Sequence, residues 1–149
     1  MRTLTTAGFL LSLGVSAFAA DTSQAVLDRH VAAMKAGDLN AVMADYDDNA
    51  MVIAPHGIAP GEKSVSGNDV FAGKTSIRKF FEVLTDKAHN PGAKSMTVEY
   101  ETRGSDVTVM HWVQFPGASN QISGNDTWII RDGKVIAQIV AVDSAPARR

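Results

Sequence analysis

Val31-Ala32-Ala33-Met34-Lys35-Ala36-Gly37-Asp38-Leu39-Asn40-Ala41, with Tyr46-Asp47-Asp48-Asn49-Ala50 a short step behind it, is the stretch on which the reading of the fold turns. Upstream, Asp21 stands three residues before Gln24 in the spacing of a capping box. Val26, Leu27, Val31 and Met34 then recur at helical intervals until Gly37 interrupts them. These features predict a first helix. Asp38 can cap a second, shorter helix through Leu39, Val42 and Met43 to about Tyr46, which the acidic run Asp47-Asp48-Asn49 would end. Ala50 to Ala54 reads as a short strand. Residues 55–72 hold two prolines and three glycines and read as a long loop with room for a short strand near Val70 and Phe71.

The rest of the chain divides cleanly by period. Ile77, Phe80, Phe81 and Leu84 fall at i, i+3, i+4 and i+7, an apolar stripe on a third helix from about Gly73 to Asp86. Beyond Pro91 the period becomes two: Met96, Val98 and Tyr100 alternate with polar residues, and Val107, Val109, Val113 and Phe115 alternate around His111. Ile122 to Arg131 and Lys134 to Val142 follow, joined by Asp132-Gly133, a pair suited to a tight hairpin. Helices first and strands afterwards give an α+β domain.

The beginning of the chain reads differently. Arg2, the apolar stretch Ala7 to Val15 and the small residues around Ala17 and Ala19 have the layout of a secretory signal over residues 1–19, too short to span a bilayer. The expected mature domain is 20–149, soluble, free of the membrane after cleavage, and periplasmic or secreted. Its net charge moves from −2 to −3 when Arg2 leaves, and its basic residues are scattered, which argues against nucleic acid as a partner. Cysteine is absent, so thiol chemistry, disulfides and cysteine-based metal sites are excluded.

The opening stretch, together with Phe71-Ala72-Gly73-Lys74 before Ile77 and Phe80-Phe81 and the segment Asp126 to Val135, resembles SnoaL-like and ketosteroid-isomerase-like proteins of the nuclear transport factor 2-like superfamily. The resemblance implies a cone, a curved antiparallel sheet packed on three helices of the N-terminal half, with a small hydrophobic or carbonyl-bearing molecule in its open end. It implies a homodimer through the outer face of the sheet. It also places the isomerase's first hydrogen-bond donor at His30, its second, a neutral carboxyl, at Asp126, and its general base at Ala54. A methyl group cannot take a proton, so steroid-type isomerisation by that route is not expected.

On a helical wheel His30 lies inside the apolar arc of the first helix, and alternation groups Asp126 with Ile122, Trp128 and Ile130 on one strand face. His111 shares a face with Val109 and Val113, a possible second imidazole in the cone; Met110 and Trp112 would then turn outward, with Trp112, Thr127, Ile129 and Ile139 covering a dimer surface. His30, Asp126 and His111 are thus the candidate catalytic residues for a lyase or isomerase working by His/Asp acid–base chemistry. Trp128, Val140, Val142, Phe80 and Tyr46 are the expected ligand contacts. His56 in the loop and His89 in a turn read as exposed. No metal site is expected, because no histidine pair has ligand spacing, and no cofactor is implied. Asp45, Asp47 and Asn49 begin like a calcium loop but Ala50 replaces its glycine, and Gly73-Lys74-Thr75 lacks the glycine spacing of a phosphate loop. Whether the pocket is catalytic, or the domain is a non-catalytic dimerisation or protein-interaction module, stays open at this level.

The leader reading is tested directly: N-terminal sequencing of exported material should begin at Ala20, and Met1 on the mature soluble protein would contradict it.

Overall fold

A computed structural model describes residues 22–59, 63–65 and 67–144. The leader-like segment 1–19 and the expected cap Asp21 lie outside the described residues. The elements follow in the order α1 (Ser23–Ala36), α2 (Leu39–Ala44), β1 (Tyr46–Pro55), β2 (Lys63–Val65), β3 (Asn68–Ala72), α3 (Lys74–Thr85), a 3-10 turn (Pro91–Ser95), β4 (Thr97–Arg103), β5 (Val107–Gln114), β6 (Ile122–Arg131) and β7 (Lys134–Ser144).

Local chemistry accounts for most boundaries. The Thr22 hydroxyl caps α1 by accepting from the Ala25 N–H at 3.2 Å, the role expected of Asp21. Gly37 ends the helix with φ of 73° while its N–H bonds the Met34 carbonyl, a left-handed stop that glycine makes at little cost. Asp38 caps α2 through the Ala41 N–H at 3.0 Å. That helix stops at Ala44, earlier than the sequence pattern suggests: Tyr46 opens β1, and the acidic run 47–49 lies in the strand rather than in a turn. Tertiary pairing overrides the local composition here. The expected loop 55–72 instead contains the β2–β3 hairpin, and β3 pairs with β1 from Met51↔Ala72 to Pro55↔Asn68. Asp132 and Gly133 both have positive φ, 51° and 71°, as a two-residue hairpin turn requires.

The strands form one open sheet in the order β2-β3-β1-β7-β6-β5-β4. Every pairing is antiparallel except that of β1 with β7, so the last strand lies in the middle and joins the two antiparallel halves. Register shifts between Tyr46 and Met51 in β1, and at Ser123/Gly124 and Ile129/Ile130 in β6, bend the strands so that the sheet curves around the helices. Leu27, Val42, Ile77, Phe80 and Phe81 from the helices meet Tyr46, Val52, Phe71, Trp128 and Val135 from the sheet in one buried core.

Register assigns the faces of the long strands. Thr108, Met110 and Trp112 of β5 lie opposite Trp128, Asp126 and Gly124 of β6, and all of these are buried. The opposite set, with Val109, His111 and Val113 facing Thr127, Asn125 and Ser123, is the outer one. Met110 and Trp112 therefore face inward and His111 is exposed, the reverse of the expectation. The alternation was legible, but both sets are apolar enough that only pairing with the Asp126 face decides between them.

Gly124 makes the inward turn of Trp112 possible. A Cβ there would sit 2.4 Å from Cζ2 of the Trp112 ring and 2.2 Å from the Ala141 carbonyl oxygen. Gly124→Ala should consequently displace the indole or the strand and cost about 1–3 kcal/mol, read as a lower denaturation midpoint with an unchanged m-value.

Candidate functional site

Between the helices and the concave face of the sheet lies a cavity of about 420 Å³, within the range of small-molecule sites. Val31 and Met34 of α1, Phe80 and Leu84 of α3, and Met96, Met110, Ile122 and Val140 supply an apolar wall. Asp126, Gln138, His30, Trp112 and Trp128 bring polar atoms to it. A larger hollow of about 550 Å³ at the start of α3 is a shallower surface feature. Its cations are engaged, Lys74 with Asp48 at 3.3 Å and Arg78 with Asn40 at 2.7 Å, so the enclosed cavity is the better candidate.

Asp126 is the chemical centre. Trp112 and Gln138 occupy the diagonal positions on the strands either side of it, close enough for long side chains to meet. The Trp112 indole N–H donates to Oδ1 of Asp126 at 2.8 Å, and the Gln138 amide donates to Oδ2 at 2.7 Å. Behind them the Tyr46 hydroxyl donates to Oε1 of Gln138 at 2.5 Å, which fixes the orientation of that amide. Burial pushes the Asp126 carboxyl up to about 7, even though the Trp112 and Gln138 hydrogen bonds act in the opposite direction. Near neutral pH the group can therefore give or take a proton. Burial, with Asp126 and Asp45 adding like-signed charge, also pushes the Tyr46 hydroxyl well above its ordinary value, so it stays protonated and serves as a donor.

His30 is held differently. Its ring lies edge-on to Trp128, Phe81 and Tyr46, with centroids 4.9, 5.4 and 5.8 Å away. Burial drives it down to about 3, so the imidazole is neutral at physiological pH and a weak base. Nδ1 stands 3.7 Å from Oδ2 of Asp45, beyond hydrogen-bond distance, and has no hydrogen-bond partner among the described residues. The partners of Asp126 are Trp112 and Gln138, one on each carboxyl oxygen.

The structure thus gathers His30, Asp126, Trp128, Val140, Val142 and Phe80 around one cavity. It separates Tyr46, which lies behind the wall and acts through Gln138, and His111, which stands on the outer face beside Glu99 and Asn125. His111 is removed from the candidate site on that ground. Trp112 and Gln138 were missed, although Gln138 shares its strand parity with Val140 and Val142 and could have been placed with them. Ala54 is fully buried but does not line the cavity; its partner across the β1–β3 ladder is Asp69. No cluster of three or more potential metal ligands occurs among the described residues.

No protein-family model matches the chain. Solved structures do. An NTF-2 like protein of unknown function from Burkholderia xenovorans LB400 is similar with a TM-score of 0.59 at 20% identity, covering 85% of each chain. A de novo designed protein with a curved β-sheet gives 0.59 at 15% identity over 80% of this chain and 84% of its own. TerC, co-crystallised with polyporic acid, gives 0.56 at 19% identity over 80% and 90%. The chain has the nuclear transport factor 2-like fold. At these identities the likeness carries the architecture alone, as the designed neighbour illustrates.

The two buried titratable groups oppose each other in their effect on stability. Asp126 is raised from 3.8 to about 7, so from about pH 4 to 7 the native state keeps a proton that the unfolded chain has lost, and stability falls as pH rises. His30 is lowered from 6.5 to about 3, so over that window the unfolded chain holds a proton the native state lacks, and stability rises with pH. Between about pH 4 and 6.5 the two slopes, each at most about 1.4 kcal/mol per pH unit, should largely cancel. Asp126→Asn should then uncover stability that increases from pH 4.5 to 6.5, and His30→Phe stability that decreases. Denaturant titrations at the two pH values measure both signs.

Proposed function

We propose that the cavity binds a small, mostly apolar molecule carrying a carbonyl or similar oxygen, which Asp126 contacts, and that acid–base chemistry of an isomerase or dehydratase kind is available there. The observation that carries this reading is a carboxyl held near neutrality inside an apolar cavity, its geometry set by Trp112 and Gln138. Protonated, it donates to a carbonyl oxygen; ionised, it accepts a proton from a carbon or hydroxyl made acidic by that carbonyl. His30 serves as an aromatic wall rather than as the base, and the buried methyl of Ala54 takes no part. TerC supports the reading only in showing a protein of this fold crystallised with an organic ligand.

A second reading rests on the outer face. Glu101, Val109, Thr127, Ile139 and Ile53 align across five strands, and Ile139 is 47% exposed. With Val109, Ile139 and Ile53 as its apolar members, this row suits a homodimer or an interaction module, and such pairing is compatible with an occupied cavity. Export of the domain to the periplasm or beyond remains part of the proposal, resting on residues 1–19 alone.

The two tryptophans of the chain both line the cavity, so their fluorescence reports its occupancy. Titration with 2-acetylnaphthalene should quench that fluorescence, and the ketone should bind more tightly than 2-ethylnaphthalene, with the preference largest below pH 7 where Asp126 is protonated. Asp126→Asn, a donor at every pH, should make the preference independent of pH. Absence of quenching by either compound would defeat the cavity reading.

A further inference from the structure

One exposed histidine lines this cavity and a second stands next in sequence to two lining residues, and each has Nδ1 against an aspartate. His56 follows β1 and immediately precedes Gly57 and Ile58, which line the cavity; its Nδ1 lies 2.8 Å from Oδ1 of Asp69. His89, itself a lining residue, stands in the turn after α3 with Nδ1 2.7 Å from Oδ2 of Asp86. Both imidazole side chains are 69% exposed. Neither Nε2 has a partner among the described residues.

The aspartates differ in a telling way. Asp86 is on the surface and also accepts from the Ala88 N–H at 2.8 Å, so it would be explained by the turn alone. The Asp69 side chain is only 4% exposed, and sequestering a carboxylate from water is unfavourable unless it gains strong partners. Its Oδ2 receives only a 3.3 Å bond from the Gly57 N–H, whereas the short bond goes to His56. The sheet therefore buries a carboxylate against an imidazole that stays open to solvent. Hydrogen bonds from the imidazoles contribute to holding both carboxyls below their ordinary range, so they are ionised acceptors at neutral pH. In a neutral imidazole an ionised aspartate at Nδ1 selects the tautomer with the proton on Nδ1, and the Nε2 lone pair is then the group on offer.

We propose that the mouth of the cavity is a hydroxyl-accepting subsite, in which Nε2 of His56 and His89 receives the hydrogen bond of a phenol, enol or alcohol at the outer end of the bound molecule. This rests on the cavity reading above and narrows its ligand class: an apolar body with an oxygen acceptor at the Asp126 end and a hydroxyl donor at the mouth. Asp69 and Asp86 are positioning residues, because they act through the histidines.

Naphthalene and 2-naphthol, which differ by the hydroxyl alone, separate the two readings. Tryptophan quenching should show both binding to the wild type, with 2-naphthol favoured by about three- to tenfold, as one net hydrogen bond gives. His89→Ala is an exposed substitution that should leave folding intact; His56→Ala also takes the short bond from the buried Asp69, so the denaturation midpoint of each variant is measured first to establish that it is folded. The double variant should abolish the naphthol preference while still binding naphthalene, and Asp86→Ala should reduce the preference by releasing the His89 tautomer. Failure of both compounds to bind would overturn the cavity reading and the subsite with it. Naphthalene binding without a naphthol preference in the wild type, or a preference that persists in the double histidine variant, would overturn the subsite alone.

Discussion

Burying the Asp126 carboxyl between β5 and β7 is the constraint around which the concave face is arranged. A carboxyl removed from water needs donors, and the strand register supplies them diagonally from Trp112 and Gln138. Each donor then makes its own demand. Trp112 needs a neighbour without a side chain, which Gly124 provides, and Gln138 needs its remaining carbonyl satisfied, which Tyr46 does from the start of β1. The relay therefore ties four strands together through side chains as well as through the backbone ladder. Removing one member leaves a buried polar atom of its neighbour without that partner, so the four residues are energetically coupled.

The same arrangement separates two kinds of polar group by depth. In the interior, desolvation dominates: it holds His30 neutral among three rings and keeps Asp126 close to its point of half-ionisation. At the rim, exposed imidazoles meet ionised aspartates and their orientation is fixed by hydrogen bonds instead. One residue type thus has two characters within a single cavity wall, set by solvent access and not by sequence neighbours.

Much of the architecture was legible in the sequence because its periods were strong. The stripe Ile77, Phe80, Phe81 and Leu84 gave α3, Asp132-Gly133 gave the last hairpin, and the parity of Asp126 with Trp128 gave its inward direction. The resemblance of the Val31–Ala41 stretch anticipated the fold that the comparisons show. What escaped depended on contacts distant in the chain. The inward face of β5 is chosen by pairing with β6, so His111 was assigned to the wrong side. Tyr46 looked like the end of a helix because its strand partner lies on β7, and the His56–Asp69 contact crosses a hairpin concealed in a segment rich in glycine and proline. Which oxygen accepts from which donor is likewise a matter of register, and composition carries no trace of it.

The place of β7 has a consequence for how the molecule comes to be folded. The last strand among the described residues lies between β1 and β6, and the bond from Tyr46 to Gln138 joins residues 92 positions apart. The β1–β3 half cannot complete its sheet, and β1 keeps an open edge, until β7 is present. Closing so long a loop costs conformational entropy, and pairings of such wide sequence separation go with slow folding. Until β7 pairs with it, β1 presents an exposed strand edge, and the unfinished sheet depends on protection of that edge.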